Sequence, residues 1–202
     1  DRKLGIRLST NAPAQFSGEA QQEIANALAR VPSGEVGALA RSAGVTLGTP
    51  TFGSYSRDKN TINIVMVDMH DDPGKDEVRR LSAGQAAGVE NLEVNQKNNG
   101  IHALASAGTG GSDVTIAINR VQKQINDIRA DKGLSKEKQQ EKIDELTDHV
   151  VKHEIGHSLG GTHKGSGGKG LMRDGITPGV APGPLSPGSK REIKKALRRR
   201  KE

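Results

Sequence analysis

The fold is decided by residues 153–163, which read HEIGHSLGGTH and hold three of the six histidines of the chain. His153 and His157 are four positions apart, so on a helix their imidazoles lie on one face and can bind a single metal ion. Glu154 lies about 100° round the same helix from His153, close enough to flank the metal without binding it. The spacing therefore predicts a metal centre on a helix, with a carboxylate beside it.

Gly160 and His163 complete this pattern. Glycine takes a positive φ without steric cost, so Gly160 can end the helix sharply and turn the chain back. The turn brings His163 towards the same metal as a third ligand. Three protein ligands and one open position are typical of a catalytic zinc site, whereas a structural site is closed by a fourth ligand. We therefore expect Zn²⁺ as the cofactor, bound by His153, His157 and His163.

This string resembles the extended zinc signature of the metzincin metallopeptidases, H-E-x-x-H-x-x-G-x-x-H followed by a Met-turn. The Met-turn candidate is the segment 171–174, LMRD, in which Met172 follows His163 by nine residues. In the family such a methionine lies beneath the zinc, which makes Met172 and Gly160 supporting residues of the site. Within the clan, HEIGHSLG is most similar to the matrixins. The chain departs from the matrixin pattern at Gly161, Lys164 and Arg173.

The resemblance implies a single α+β catalytic domain over residues 1–202. Its upper subdomain, to about residue 160, would hold a twisted, mostly parallel sheet, a backing helix and the active-site helix. Its lower subdomain, about 161–202, would be small and irregular, with the Met-turn and a terminal helix. In the family, substrate lies extended along an edge strand above the zinc, and residues 100–108 are the candidate for that rim.

The chemistry expected of such a site is peptide-bond hydrolysis by a zinc-dependent endopeptidase acting on extended polypeptide. Zinc would lower the pKa of its bound water from about 15.7 towards about 7 and polarise the scissile carbonyl. Glu154 would take a proton from that water and deliver it to the leaving amine. No covalent intermediate with the protein is expected.

The composition limits the alternatives. A chain of 202 residues suits one domain, and with 32% hydrophobic residues and three aromatics its core must consist mainly of Val, Ile, Leu and Ala. The absence of cysteine excludes disulfides, thiolate zinc sites and cysteine nucleophiles. No run of 18 apolar residues occurs, so no transmembrane segment is predicted. We expect a mature or trimmed form of a secreted, extracellular protein, acting as a monomer.

Periodicity predicts five strands and five helices. The strands are expected at 4–10, 45–47, 61–69, 101–105 and 114–118. The helices are expected after the N-cap Ser17, at about 36–43, over about 121–132, from the N-cap Ser135 to about Leu159, and from about Ser189. The segment 48–60 is predicted as a loop, and 75–99 has too little periodicity to be assigned.

The C-terminal segment 190–202 carries most of the net charge of +6, since eight of its thirteen residues are Lys or Arg. One interpretation is a helix docked by Ile193 and Leu197 with a solvated basic face. The alternative function is a catalytically silent metal-binding module that binds an acidic partner (nucleic acid, lipid or protein) through this helix. No specific nucleic-acid partner is predicted, because aromatic residues for base stacking are absent from it.

Two further histidine groups remain open. His70 with the nearby Asp68, Asp71 and Asp72 could form a second metal site, with His102 joining it, but a turn of solvated acids is favoured. His149 lies one turn before His153 and could support that ligand. A solvated or capped histidine is the favoured interpretation there.

Overall fold

The computed structural model describes residues 4–11, 18–53, 55–69, 83–99, 103–175, 181 and 183–200. Over these residues the protein is an α+β structure, as the sequence predicts. The strands are β1 Leu4–Asn11, β2 Val45–Leu47, β3 Thr51–Phe52, β4 Thr61–Val67, β5 Ala105–Ala107 and β6 Asp113–Ala117. The helices are α1 Glu19–Arg30, α2 Glu35–Ser42, α3 Ala83–Asn99, α4 Ile118–Ala130, α5 Lys136–Ser158, α6 His163–Ser166 and α7 Pro187–Arg199.

The strands form one mixed sheet in the order β2-β1-β4-β6-β5, and β3 also pairs with β1. All its pairs are parallel except β5 with β6, which is antiparallel. At the edge of the sheet, β5 pairs Ala105 with Ile116 and Ala107 with Val114. This antiparallel edge strand leads through residues 108–111 towards the C-terminal end of α5.

Both faces of the sheet are covered, and β4 shows this most clearly because all seven of its residues are buried. Ile62, Ile64 and Met66 point into the main core with α1, α4 and α5. Val65 and Val67 point the other way, into a smaller cluster with residues of α3. Alternate residues of the strand therefore face opposite sides of the sheet, with helices packed on each side.

Helix α3 is the element that the sequence did not indicate. Its buried face is made of small and polar residues as well as apolar ones, including Gln85, Gly88 and Val89. A Cβ on Gly88 would overlap the side chain of Thr115 in β6, so the glycine lets helix and sheet approach closely. The sequence of α3 therefore shows only a weak apolar repeat at helical spacing. Part of its contact with the sheet is made by the helix backbone at Gly88 and not by apolar side chains.

Several predicted boundaries need correction. The strand expected at 101–105 lies at Ala105–Ala107, while Ile101 and His102 are outside the described residues. Ile118 begins α4 instead of ending a strand, and the loop predicted over 48–60 contains the short β3. The N-cap of α1 is Gly18, and Ser17 lies outside the described residues.

Helix α5 has 23 residues and begins where the sequence predicts, because the Ser135 hydroxyl accepts a hydrogen bond from the backbone N–H of Lys138 at 3.3 Å. The helix carries two apolar rows, and both are buried: Ile143, Leu146 and Val150, and Val151, Ile155 and Leu159. The helix is therefore held firmly up to its last turn, where the histidines lie.

The C-terminal segment packs on the same main core. Helix α7 begins at Pro187, two residues earlier than expected, and Ser186 caps it by accepting from the N–H of Ser189. Ile193 and Leu197 are fully buried, which confirms the predicted docked face. No helix within the described ranges is both long and apolar enough to cross a membrane.

Candidate metal centre

The last turns of α5 carry His153 and His157, both buried. The helix ends in a Schellman motif: Gly160 N–H donates to the His157 carbonyl, and Gly161 N–H donates to the Gly156 carbonyl. Gly160 has φ +103°, as predicted, a conformation that L side chains rarely adopt. The sharp reversal turns the chain back towards the two histidines.

His163 follows this reversal as the first residue of α6. Thr162 caps α6 by accepting from the Gly165 N–H at 2.9 Å. Thr162 is itself held by α7, because its N–H donates to a carboxylate oxygen of Glu192 at 3.0 Å and its hydroxyl lies 3.0 Å from the same oxygen. The residue just before the third histidine is thus fixed to the C-terminal helix.

The three imidazoles converge through their Nε2 atoms. The separations are 3.1 Å between His153 and His157, 3.0 Å between His153 and His163, and 3.0 Å between His157 and His163. A tetrahedral ion with bonds of about 2.0–2.1 Å would hold such nitrogens about 3.3 Å apart. The triangle is slightly tighter than that and has the right shape.

Backbone carbonyls fix the protonation of two of these rings. His153 Nδ1 lies 2.8 Å from the Leu171 carbonyl oxygen, and His157 Nδ1 lies 2.8 Å from the Gly161 carbonyl oxygen. A carbonyl only accepts, so each Nδ1 must carry the proton and donate. In a neutral imidazole the Nε2 then carries a lone pair directed at the other rings.

Burial keeps these rings neutral. It lowers the pKa of His153 to about 3 and also lowers the pKa of His157. Two lone pairs about 3 Å apart repel each other, and a cation placed between them and His163 removes that repulsion. The residues present therefore fit a bound metal ion, and the oriented carbonyls are the outer partners that metal-binding histidines usually have.

His163 differs from the other two histidines in its exposure. Its side chain is 42% exposed, and its Nδ1 lies 3.5 Å from the carboxylate Oδ1 of Asp174. Among the described residues, His153, His157 and His163 form the one group of His, Cys, Asp and Glu arranged to hold a metal. The group is therefore accessible to solvent on the side of His163.

Glu154 lies next to His153 and is 5% exposed. Burial raises the pKa of its carboxyl to about 8 in the metal-free protein. A nearby dication favours the carboxylate and opposes this shift. A buried carboxyl with a strongly raised pKa is one feature found at sites that move protons.

Met172 is fully buried under the histidine-bearing turn of α5. A Cβ placed on Gly156 would overlap the Met172 sulfur, so the methionine contacts the helix backbone where glycine leaves space. Leu171, the residue before it, supplies the carbonyl that holds His153. The 171–174 segment thus packs against α5 at the turn that carries His153 and His157.

His149 corrects the sequence-based interpretation, because it is 1% exposed and not solvated. Its ring packs edge-on against His153, with the ring centroids 5.9 Å apart. Burial, and then the positive charge of Arg173, lower the pKa of His149 to about 4. Of the group proposed around His70, His70, Asp71, Asp72 and His102 lie outside the described residues.

Sequence reasoning missed three contacts around the centre. These are Glu192 with Thr162, Asp174 with His163, and Gly110 N–H with the His157 carbonyl at 2.8 Å. The first joins residues 30 positions apart and carries no signal in the sequence. Asp174 lies within the Met-turn segment quoted above. Its negative charge in that segment was the one sequence feature that could have indicated a contact with His163.

The protein was also compared with known protein families and curated proteins. A scan against protein-family models found no matching family, and a search of curated proteins found no match.

Proposed function

We propose that this protein is a zinc-dependent endopeptidase that hydrolyses extended polypeptide. The observation that carries the proposal is the triangle of histidine Nε2 atoms, with the buried Glu154 next to His153 on the same helix. A structural zinc site would be closed by a fourth protein ligand, and no fourth His, Cys, Asp or Glu joins this group in the described ranges.

The proposal gives each residue a separate task. Zinc bound at the three histidines supplies a Lewis acid for the scissile carbonyl and for water. The Leu171 and Gly161 carbonyls hold His153 and His157 in the tautomer that binds metal. Glu154 accepts the proton of the attacking water and passes it to the leaving nitrogen. Its burial favours this role, because a base in a dry site acts on the reacting atoms with little screening.

The fold of the proposed enzyme is metzincin-like. Helix α5 is its active-site helix, α1 packs behind α5, and the 171–174 segment is its Met-turn. The placement of Met172 against Gly156 supports this assignment. We also propose, from the sequence alone, that the enzyme is extracellular and monomeric.

Strand β5 is the proposed rim of the substrate cleft. It is the antiparallel edge strand, and the following turn is tied to the zinc helix by the hydrogen bond from Gly110 N–H to the His157 carbonyl. An edge strand offers unpaired backbone groups that an extended peptide can pair with. This suits a substrate recognised mainly through its main chain.

The test is cleavage of casein by purified protein before and after metal removal with 1,10-phenanthroline. The proposal predicts that cleavage stops with the chelator and returns when it is dialysed away and zinc is added. A phenanthroline isomer that does not chelate serves as the control and should have no effect. Cleavage that continues in protein shown to be free of metal would overturn the proposal.

A further inference from the structure

Helix α7 has two chemically different faces. Ile193 and Leu197 are fully buried, and Ala196 packs so closely that a Cβ on Gly160 would overlap it. The opposite side, here called the basic face, consists of Arg191, Lys194, Lys195, Arg198 and Arg199. The apolar residues are fully used in docking the helix, so only the cations of this face remain available to a partner.

Within the described ranges, ion pairs do not neutralise the basic face. None of its five cations forms an ion pair with a residue that the structure describes, although Lys190 at the start of the helix pairs with Glu35 at 3.1 Å. The carboxylate of Glu192, within the same helix, is engaged by Thr162. Five uncompensated positive charges on about two turns of helix produce a local field that attracts anions.

The same helix borders the metal centre. Glu192 holds Thr162, the residue before the ligand His163. At the far end of α7, the Arg200 side chain reaches the Gly110 carbonyl oxygen at 3.4 Å, and Gly110 N–H donates to the His157 carbonyl. The end of α7 that carries Arg198 and Arg199 is therefore adjacent to residues 108–111, which follow the proposed rim strand.

The dimensions suit a short extended segment. Arg191 and Arg199 are eight residues apart, which is about 12 Å along a helix. A chain rising about 3.3 Å per residue covers that length with about four residues. Spacings of three and four residues place Arg191, Lys194, Lys195 and Arg198 on one side of the helix.

We propose that the basic face of α7 is an accessory binding surface that selects substrates with an acidic segment beside the cleaved region. This inference rests on the proposed endopeptidase function and names its substrate class. A polypeptide is favoured over a membrane because the face exposes no apolar side chain that could insert into lipid. It is favoured over single-stranded nucleic acid because the face has no aromatic residue for stacking.

Binding without turnover tests the surface directly. The probes are two fluorescein-labelled peptides that share a neutral core and end in six glutamates or six glutamines. Fluorescence anisotropy is measured with zinc-loaded Glu154→Gln protein, which should not cleave them. We expect the glutamate peptide to bind about tenfold more tightly, with the preference shrinking as salt rises from low to physiological strength and above.

Two charge-reversal variants in the same Glu154→Gln background separate this surface from the overall charge. Lys195→Glu with Arg198→Glu alters the basic face and should remove most of the preference. Lys132→Glu with Lys136→Glu changes the net charge equally at exposed positions, with Lys136 about 25 Å along α5 from His153, and should retain the preference. Equal binding of both peptides, or equal loss in both variants, would overturn the proposal.

A cleavage assay with wild-type protein links the surface to activity. The glutamate peptide should show kcat/KM about tenfold higher than the glutamine peptide. Failure to cleave either peptide would count against the endopeptidase, while anisotropy would still report on the surface. Tighter binding of a DNA duplex or of phosphatidylserine vesicles than of the glutamate peptide would assign the face to that other partner and overturn the proposal.

Discussion

His153 Nδ1 lies 2.8 Å from the carbonyl oxygen of Leu171, eighteen residues further along the chain. This hydrogen bond joins the metal-binding turn of α5 to the 171–174 segment. It fixes the ring so that its Nε2 faces the other two histidines. The geometry of the three-histidine group therefore depends on the position of a segment that contributes no histidine to it.

Gly156→Ala should destabilise the protein although alanine favours a helix more than glycine does. The added methyl group would overlap the Met172 sulfur, and overpacking of this kind costs about 1–3 kcal/mol of unfolding free energy. Urea denaturation measures the loss. Adding Met172→Ala should cost less in the Gly156→Ala background than in the wild type, because the overlap is then removed. Additive costs would contradict the contact.

Glu192→Ala should weaken zinc binding more than it weakens the fold. Glu192 touches no metal ligand, but it holds Thr162 and so fixes the chain entering His163. We expect about tenfold lower zinc affinity, the lower end of the range for outer-partner losses. Competition with a fluorescent zinc chelator measures this. The exposed Glu141→Ala on α5 is the control and should leave zinc affinity unchanged.

Zinc should stabilise the folded protein by binding to it and not to the unfolded chain. At a free zinc concentration one hundred times the dissociation constant, the gain is about 2.7 kcal/mol. Thermal unfolding with and without zinc measures it. His163→Ala should reduce the gain sharply, because one of three ligands is lost. An equal gain in this variant would indicate that zinc binds elsewhere.

His149 should make the metal-free protein less stable in acid. Its folded pKa, about 4, lies below its ordinary value of 6.5, so the unfolded chain binds more protons between these values. Stability from this residue is complete above pH 6.5 and is lost as pH falls towards 4, by at most about 3 kcal/mol in total. His149→Gln should remove that part of the pH dependence.

In this experiment the unfolding free energies of wild type and variant are compared at each pH. Both proteins are kept metal-free by a chelator. His153 contributes a pH dependence of stability with the same sign as that of His149, because burial lowers its pKa to about 3. Some loss of stability in acid should therefore persist in the variant. Glu154 has the opposite sign: its raised pKa of about 8 makes the metal-free fold lose stability as pH rises from 4.5 through 8. An unchanged wild-type slope in His149→Gln would contradict the assignment.

The three-histidine cluster was largely predictable because its signal in the sequence is local. The four-residue spacing of His153 and His157 fixes their shared face, and Gly160 indicates the reversal that returns His163. All three nitrogens do converge in the structure. The N-cap at Ser135 and the docking of Ile193 and Leu197 are confirmed for the same reason, since each depends on neighbours along one helix.

Contacts between distant segments were not predictable. Helix α3 was not predicted, because it has no clear row of apolar residues. Its backbone at Gly88 instead packs closely against the side chain of Thr115. The support of Thr162 by Glu192 depends on where α7 docks, which no local pattern encodes. The lowered pKa of His149 depends likewise in part on Arg173, which is distant in sequence and which no local pattern places there.

The most direct test of the central claim is casein cleavage by wild-type and Glu154→Gln proteins carrying equal amounts of zinc. Glutamine keeps the size of Glu154 but cannot take a proton, so zinc content and folding should be unchanged. We expect cleavage by the wild type and a loss of about 10²-fold to 10⁴-fold in the variant. Equal cleavage by both proteins, or none by zinc-saturated wild type, would contradict it.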